Sequence, residues 1–98
     1  MTKVKVRYLA FLREETKKVE EEIVLPDNSN INDYIKELLR RYSGLKRYLL
    51  NSEGGLRDGI NVAVNGDVIR RSDYDKTILK DEDEVVVIPP IAGGSSFF

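Results

Sequence analysis

Charged and apolar side chains alternate over residues 3–8, which is the period of a β-strand with one buried face and one exposed face. The same alternation returns over residues 19–25 and stops at Pro26. Residues 12–16 interrupt the pattern between these two segments. We therefore expect two antiparallel strands that are joined by a short turn.

A helical spacing follows the turn and capping residues at positions 26–30. Apolar side chains recur at i, i+4, i+7, i+8 and i+11, namely at Ile31, Ile35, Leu38, Leu39 and Tyr42. This stripe predicts an amphipathic helix that ends near Gly44, with Gly44 as a left-handed C-cap. Residues 45–50 are expected to add a short helical turn, and the glycine-rich, charged residues 51–59 to form an exposed loop.

Asn65-Gly66 is the dipeptide most typical of a type I′ hairpin, and apolar residues lead into it over positions 60–64 and out of it at 68–69. We therefore predict a second strand pair here. The crossover at residues 73–79 is irregular, with Ile78 and Leu79 as its only core candidates.

The last strand is a run of β-branched residues at 85–88, after a turn at 81–84. One helix covers one face of a sheet and leaves the other partly exposed. The order of elements thus predicts an α+β domain with the β-grasp (ubiquitin-like) fold: a mixed sheet of four to five strands, one main helix, and the last strand parallel to the first. Residues 1–88 would form this domain, and residues 89–98 a flexible C-terminal tail with a diglycine and a short extension.

The tail carries no charge, and Pro89-Pro90 must end the strand because proline cannot donate to a sheet ladder. Gly93 and Gly94 lack Cβ atoms, so they can enter a channel too narrow for other residues. Such a tail suits chemistry on the main chain at Gly94. A flexible linker is the alternative interpretation of an isolated diglycine, and the position directly after a strand and a double proline favours the functional one.

Composition excludes several classes of function. The 16 basic and 17 acidic residues are interspersed, without the basic face of a nucleic-acid-binding protein. The chain contains no Cys and no His, which excludes a thiol nucleophile, a Ser-His-Asp triad and an ordinary zinc site. Composition alone leaves carboxylate-only metal or acid/base sites open. We expect no metal site, no nucleic-acid partner and no membrane partner. The absence of a long apolar run predicts a cytoplasmic location.

Four segments together resemble the MoaD/ThiS family of sulfur carriers, and most closely archaeal-type MoaD, the small subunit of molybdopterin synthase. These segments are residues 3–14 (KVKVRYLAFLRE), 62–66 (VAVNG), 79–85 (LKDEDEV) and 88–94 (IPPIAGG). The resemblance covers nearly all of residues 3–94.

The resemblance implies a carrier protein and not a self-sufficient enzyme. The carboxylate of Gly94 would be adenylated by a partner related to ubiquitin-activating enzymes and converted to a thiocarboxylate; ATP is used by that partner, and this chain binds no cofactor. The large subunit of molybdopterin synthase would then take the sulfur to build the dithiolene of molybdopterin or its tungsten counterpart. Gly93 would provide clearance, and Pro89, Pro90, Ile91 and Ala92 would thread into the partner.

The resemblance also suggests an apolar docking surface around the base of the tail, with Phe11, Leu12 and Ile88 as candidates. Phe11 and Ile88 have core packing as their alternative role. Arg13, Arg70 and Arg71 are candidates for charged contacts at the rim of a partner interface, where charges mostly change the association rate.

Two features depart from the family pattern. Glu82 occupies a turn position where many relatives have glycine, which is expected to alter the turn geometry alone. Residues 95–98 follow the diglycine, so Gly94 ends in a peptide bond that cannot be adenylated. The sulfur-carrier interpretation therefore requires a processing protease that removes residues 95–98.

Other functions use the same tail. A ubiquitin-like modifier would join Gly94 to lysines of other proteins, and a carrier could deliver its sulfur to tRNA or, less in keeping with the loop at 51–59, to thiazole synthesis. A plain interaction domain with an inert tail is the third possibility. Loss of function on removal of residues 93–98 would exclude the last.

Overall fold

The computed structural model describes residues 1–90. Within these residues the chain forms five strands, three α-helices and two short 3-10 helices. In chain order they are β1 Thr2–Arg7, α1 Phe11–Thr16, β2 Glu20–Leu25, α2 Ile31–Arg41, a 3-10 helix at Ser43–Leu45, α3 Lys46–Leu49, β3 Asn61–Val64, β4 Asp67–Ile69, a 3-10 helix at Arg71–Asp73 and β5 Glu84–Ile88.

The strands form one mixed sheet in the order β2-β1-β5-β3-β4. Strand β5 lies at the centre, parallel to β1, with Val6 opposite Val85, and antiparallel to β3, with Val62 opposite Val87. A parallel pair requires a long crossover, which the helices and the β3–β4 hairpin supply. The predicted β-grasp fold is confirmed, with five strands and one main helix.

The connection between β1 and β2 is helix α1, so the prediction of a short turn is wrong. The helix ends at Thr16, and the next residue, Lys17, has a left-handed φ of 63° and donates its backbone N–H to the Arg13 carbonyl. The Thr16 hydroxyl donates to the Leu12 carbonyl over 2.8 Å. Because α1 has only six residues, it has no room for a recurring apolar stripe, and periodicity could not reveal it.

Helix α2 begins at the predicted residue. Asn30 and Asp33 form a capping box, in which each side chain accepts the backbone N–H of the other over 2.9 Å. The predicted apolar stripe is buried from Ile31 to Leu39. These contacts orient the helix across one face of the sheet.

The prediction that Gly44 is the left-handed C-cap of α2 is wrong. The helix ends at Arg41, and Gly44 lies in the following 3-10 helix. The backbone N–H of Leu45 donates to the Tyr42 carbonyl over 2.9 Å, so the chain continues turning in the right-handed sense. A left-handed residue is therefore not needed at this point.

The hairpin and loop predictions are confirmed. Asn65 and Gly66 both have positive φ, 52° and 88°, as a type I′ turn requires. Residues 51–59 form a loop that is exposed except for Leu56, and α3 is the short helical turn expected before it.

The crossover before β5 differs from the prediction in two residues. Leu79 is buried and donates its N–H to the Ser29 carbonyl, whereas Ile78 is 41% exposed. Tyr74 is also buried, although its charged neighbours Asp73 and Asp75 gave no sign of a core position.

The core lies between α2 and one face of the sheet, and the other face is open. Inward residues such as Val4, Val62 and Val85 are fully buried, while their neighbours along each strand face outward. Within residues 1–90, no helix has the length and apolar character needed to cross a bilayer.

Candidate functional site

The candidate site is the end of β5, from which the tail leaves the sheet. Strand β5 pairs with β1 as far as Val86 and with β3 as far as Ile88, so its last two residues are held on the β3 side. Pro89 and Pro90 follow immediately and end the ladder. Ile91, Ala92, Gly93 and Gly94, as well as residues 95–98, lie outside the described residues, so their predicted roles remain predictions.

Pro90 rests against the loop that precedes β3. A Cβ atom built on Gly59 would lie 3.2 Å from Cβ of Pro90, and Gly59 has a φ of 88°. The β3–β5 pairing places Asn61 opposite Ile88, so continuing this register by two residues brings Gly59 opposite Pro90. The base of the tail therefore touches a second segment of the chain.

An apolar patch lies on the open face of the sheet, beside the base of the tail. Val86 and Ile88 of β5 point to this face and are half-buried. Ala63 of β3 lies next to Val86 and is buried, and Val68 of β4 lies on the far side of Ala63. Val68 is 60% exposed. We call Ala63, Val68, Val86 and Ile88 the open-face patch. Its position suits a partner that must also take hold of the tail.

Ion pairs border the open-face patch on the side of β1. Arg7 lies 3.1 Å from Glu84, and Lys5 lies 3.2 Å from Glu82. All four side chains are at least 41% exposed, so each pair adds only about 0–1 kcal/mol to stability. Their alternating signs give this rim no strong net charge.

The three candidate docking residues lie in different environments. Ile88 belongs to the open-face patch, and Phe11 is half-buried and stacks on the Tyr48 ring with 4.8 Å between centroids. The guanidinium carbon of Arg47 lies 4.9 Å from the centroid of the Tyr48 ring. The expectation of a surface position for Leu12 is corrected, because Leu12 is 1% exposed and packs in the core.

Glu21 lies at the centre of a polar cluster with Tyr8, Lys18 and Tyr42, which the sequence alone did not predict. Its Oε2 accepts hydrogen bonds from the hydroxyls of Tyr8 and Tyr42 over 2.5 and 2.6 Å, and its Oε1 accepts from Lys18 Nζ over 3.0 Å. The available signal was an acidic residue at an inward position of an alternating strand. Tyr34 lies near this cluster and is fully buried.

The cluster shifts the pKa values of its members. Partial burial acts to raise the pKa of Glu21, but the hydrogen bonds from Tyr42, Tyr8 and Lys18 outweigh it and hold that pKa below its usual range. Burial, together with the hydrogen bond to the Glu21 carboxylate, raises the pKa of Tyr8. The donors thus keep the Glu21 carboxylate charged, and both of its oxygens accept hydrogen bonds from side chains of the same domain.

Of the three arginines proposed for the rim, Arg71 has a role inside the fold. Its guanidinium donates to the carbonyls of Leu56, Arg57 and Ile60. All three arginines are exposed, and Arg71 differs from Arg13 and Arg70 in these bonds to the loop. A residue that binds three carbonyls is less free to meet a partner than the sequence suggested.

The described part of the site consists mainly of backbone and apolar side chains. Within residues 1–90, no group of three or more carboxylates is placed to bind a metal ion. The site offers instead a rigid strand end, an apolar patch beside it and an uncharged continuation of the chain. Such an arrangement is suited to chemistry on the main chain.

Comparison with known proteins gives a consistent result. The model of the ThiS family matches residues 6–94. Small archaeal modifier protein 3 of Haloferax volcanii is 35% identical over 68 residues, which cover 69% of this chain and 73% of that protein.

Two solved structures share the fold at higher coverage. Small archaeal modifier protein 1 of Methanosarcina acetivorans superposes with a TM-score of 0.80 at 31% identity, over 96% of this chain and 98% of that one. A putative molybdopterin converting factor, subunit 1, of Pyrococcus furiosus superposes with a TM-score of 0.74 at 35% identity, over 93% of this chain and 100% of that one.

Proposed function

Because this chain belongs to the ThiS family, we propose that it is a sulfur carrier of molybdopterin or tungstopterin biosynthesis. After removal of residues 95–98, Gly94 is the residue that carries the sulfur. The protein itself is a small ubiquitin-like carrier or modifier and does not have a catalytic fold.

The observation that carries the proposal is the position of β5. The strand that carries the tail pairs with β1 as far as Val86 and with β3 as far as Ile88, so the strand end is fixed in the fold before a partner binds. Pre-organisation of this kind lowers the entropic cost of placing a reacting group in a partner's pocket. An edge strand would fray and could not do this.

The proposed chemistry takes place at the carboxylate of Gly94. A carboxylate oxygen attacks the α-phosphate of ATP in an adenylating partner, and pyrophosphate leaves. A persulfide of the activating system then attacks the acyl-adenylate and displaces AMP, which gives an acyl disulfide. A thiol reduces the S–S bond, leaving the thiocarboxylate of Gly94 and a disulfide on the donor. The large subunit of molybdopterin synthase is the proposed acceptor, and the putative molybdopterin converting factor among the structural relatives supports this choice.

A ubiquitin-like modifier is the second candidate, and similar proteins favour it comparably. Two of them are named small archaeal modifier proteins. In this function the activated Gly94 carbonyl is attacked by a lysine amine, which forms an isopeptide bond and releases the activating group. Delivery of sulfur to tRNA would use the same thiocarboxylate.

Activation tests the shared part of both functions. The chain ending at Gly94 and the chain ending at Phe98 are each incubated with the ThiS-type activating enzyme of the same cells and with ATP. We expect pyrophosphate exchange for the first and none for the second. Equal exchange by both chains, or by neither, would contradict the proposed use of Gly94.

The acceptor separates the two functions. Deletion of the gene is expected to abolish molybdenum or tungsten enzyme activity, and the chain ending at Gly94 is expected to restore it. A Gly94-dependent ladder on host proteins, with metal-cofactor enzymes unaffected, would favour the modifier.

A further inference from the structure

Arg71 holds the loop before β3 through three main-chain carbonyls. Its Nη1 donates to the Leu56 carbonyl over 3.2 Å, and its Nη2 donates to the carbonyls of Arg57 and Ile60 over 3.0 and 2.9 Å. The guanidinium also lies 5.7 Å from the ring centroid of Tyr74, a buried core residue. One side chain thus connects the loop to the core.

The sheet register explains why Arg71 is in this position. Val62 pairs with Ile69 across β3 and β4, so continuing the register by two residues brings Arg71 opposite Ile60. The β4 ladder has already ended there, because Arg71 begins a 3-10 helix. The Arg71 side chain therefore supplies donors to carbonyls that lie beyond the paired part of β3. A planar guanidinium can reach several carbonyls at once, which a lysine ammonium cannot match in geometry.

The same loop carries the contact with the tail. Gly59 lies between two of the carbonyls that Arg71 binds, those of Arg57 and Ile60, and it faces Pro90. Pro90 has no N–H to donate to this loop, and no backbone hydrogen bond joins Gly59 and Pro90. The position of Pro90 therefore depends on packing against the loop, and the loop depends on Arg71.

We propose that Arg71 is a positioning residue for the tail. By holding the carbonyls on both sides of Gly59, it fixes the surface against which Pro90 packs and so sets the direction in which the chain leaves the sheet. This role deepens the proposed function and rests on it for its biological meaning. The placement of Pro90 can be tested without that function.

The direct test is nuclear magnetic resonance of the full chain, without any partner. The measured quantity is the cross-relaxation between the Hα protons of Gly59 and the Hβ and Hγ protons of Pro90. The variants are Arg71→Ala and Arg71→Lys. The matched control is Arg70→Ala, which removes the adjacent exposed arginine.

We expect the cross peak to be lost in Arg71→Ala, weakened in Arg71→Lys, and unchanged in Arg70→Ala. A folded Arg71→Ala protein with the cross peak at full intensity would overturn the proposal. If Arg71→Ala does not fold, the cross peak in Arg71→Lys and the Pro90 carbon shifts in Gly59→Ala test the proposal. Gly59→Ala leaves the Arg71 side chain in place but adds a Cβ against Pro90, and unchanged Pro90 carbon shifts in that variant would also overturn it.

A kinetic readout distinguishes positioning from simple stabilisation. In pyrophosphate exchange with the chain ending at Gly94, Arg71→Ala should lower kcat about ten-fold, because misplaced reacting groups lose rate. KM should stay within about two-fold, since the open-face patch is intact. Unchanged kcat in a variant that has lost the Pro90 contact would contradict the role. If the wild-type chain shows no exchange, the proposed function fails, and the nuclear magnetic resonance result still decides on Arg71.

Discussion

The hydroxyl of Tyr8 donates a hydrogen bond to Oε2 of Glu21 over 2.5 Å and so joins the end of β1 to the edge strand β2 from the core side. Tyr8 is 1% exposed, and the Glu21 side chain is 12% exposed. A charged acceptor with so little access to water depends on its protein donors. This relationship leads to two predictions about stability.

Tyr8→Phe is expected to destabilise the fold by about 2 kcal/mol, because it removes one donor from a carboxylate that is largely shielded from water. Tyr42→Phe should cost less, about 1 kcal/mol, since Tyr42 is less buried. The measurement is urea denaturation. Glu22→Gln is the control, because Glu22 is on the open face with a 3.8 Å pair to Lys3, and it should change stability by less than about 0.5 kcal/mol. Tyr8→Phe as stable as the wild type would contradict the role of the cluster.

Stability is expected to fall in acid, in part through Glu21. Its pKa is lowered in the folded protein, so its contribution is fully present above the unfolded value, about 4.3, and is lost as pH falls through the folded pKa. Glu21→Gln should therefore be less stable than the wild type at pH 6, and the difference should shrink below about pH 4. A constant difference between pH 2 and pH 6 would contradict this.

The acid dependence will not vanish in Glu21→Gln, because another carboxyl group behaves similarly. Hydrogen bonds from Arg40 and Arg41 lower the pKa of Glu37 to about 2. Glu37→Gln provides the comparison: Glu37 sits on the surface of α2, where ion pairs contribute little. Its removal should change the acid transition less than removal of Glu21.

Glu82→Gly is expected to stabilise the fold by about 0.5 kcal/mol. Glu82 has a φ of 70°, a left-handed conformation that costs a non-glycine residue about 1 kcal/mol. Glycine relieves this cost but also loses exposed pairs with Lys5 and Lys3, at 3.2 and 3.8 Å, which are together worth less than about 1 kcal/mol. Glu82→Gln separates the two effects, since it removes the charge and keeps the backbone strain. Thermal unfolding of both variants is the measurement, and a less stable Glu82→Gly protein would show that the ion pairs dominate.

The open-face patch is expected to contact the activating partner. Ile88→Thr keeps a β-branched side chain in the central strand but removes apolar surface, so it should raise KM for the chain ending at Gly94 about ten-fold, with kcat unchanged. Val24→Thr is the matched control, because Val24 is 46% exposed on the same face but lies two strands away, on β2. Equal KM for both variants would exclude the patch as the docking surface.

The sequence predicted those parts of the fold that depend on local pattern. Three elements follow from the pattern of a few adjacent residues. These are β1 from its alternation, α2 from its apolar stripe, and the Asn65-Gly66 turn from the positive φ angles that it requires. Helix α1 was missed because six residues are too short for a helical period. Tyr74 was missed because burial there depends on what packs above it, and its own neighbours are charged.

The site was predicted only in part, for the same reason. Proline cannot donate to a sheet ladder whatever its tertiary contacts, so the end of β5 at Pro89 could be predicted from the sequence. The contact between Gly59 and Pro90 and the bonds from Arg71 depend on how β3 pairs with β5 and with β4. Such pairings join residues that are far apart in the chain, and no local pattern records them.

Sulfur carriage at Gly94 can be tested by the mass of the protein recovered from its own cells. Intact mass spectrometry is followed by fragmentation of the C-terminal peptide. We expect a chain that ends at Gly94, with one carboxylate oxygen replaced by sulfur in a fraction of the molecules. A chain that still ends at Phe98, with no sulfur at Gly94, would contradict the carrier function and leave the domain as an interaction module.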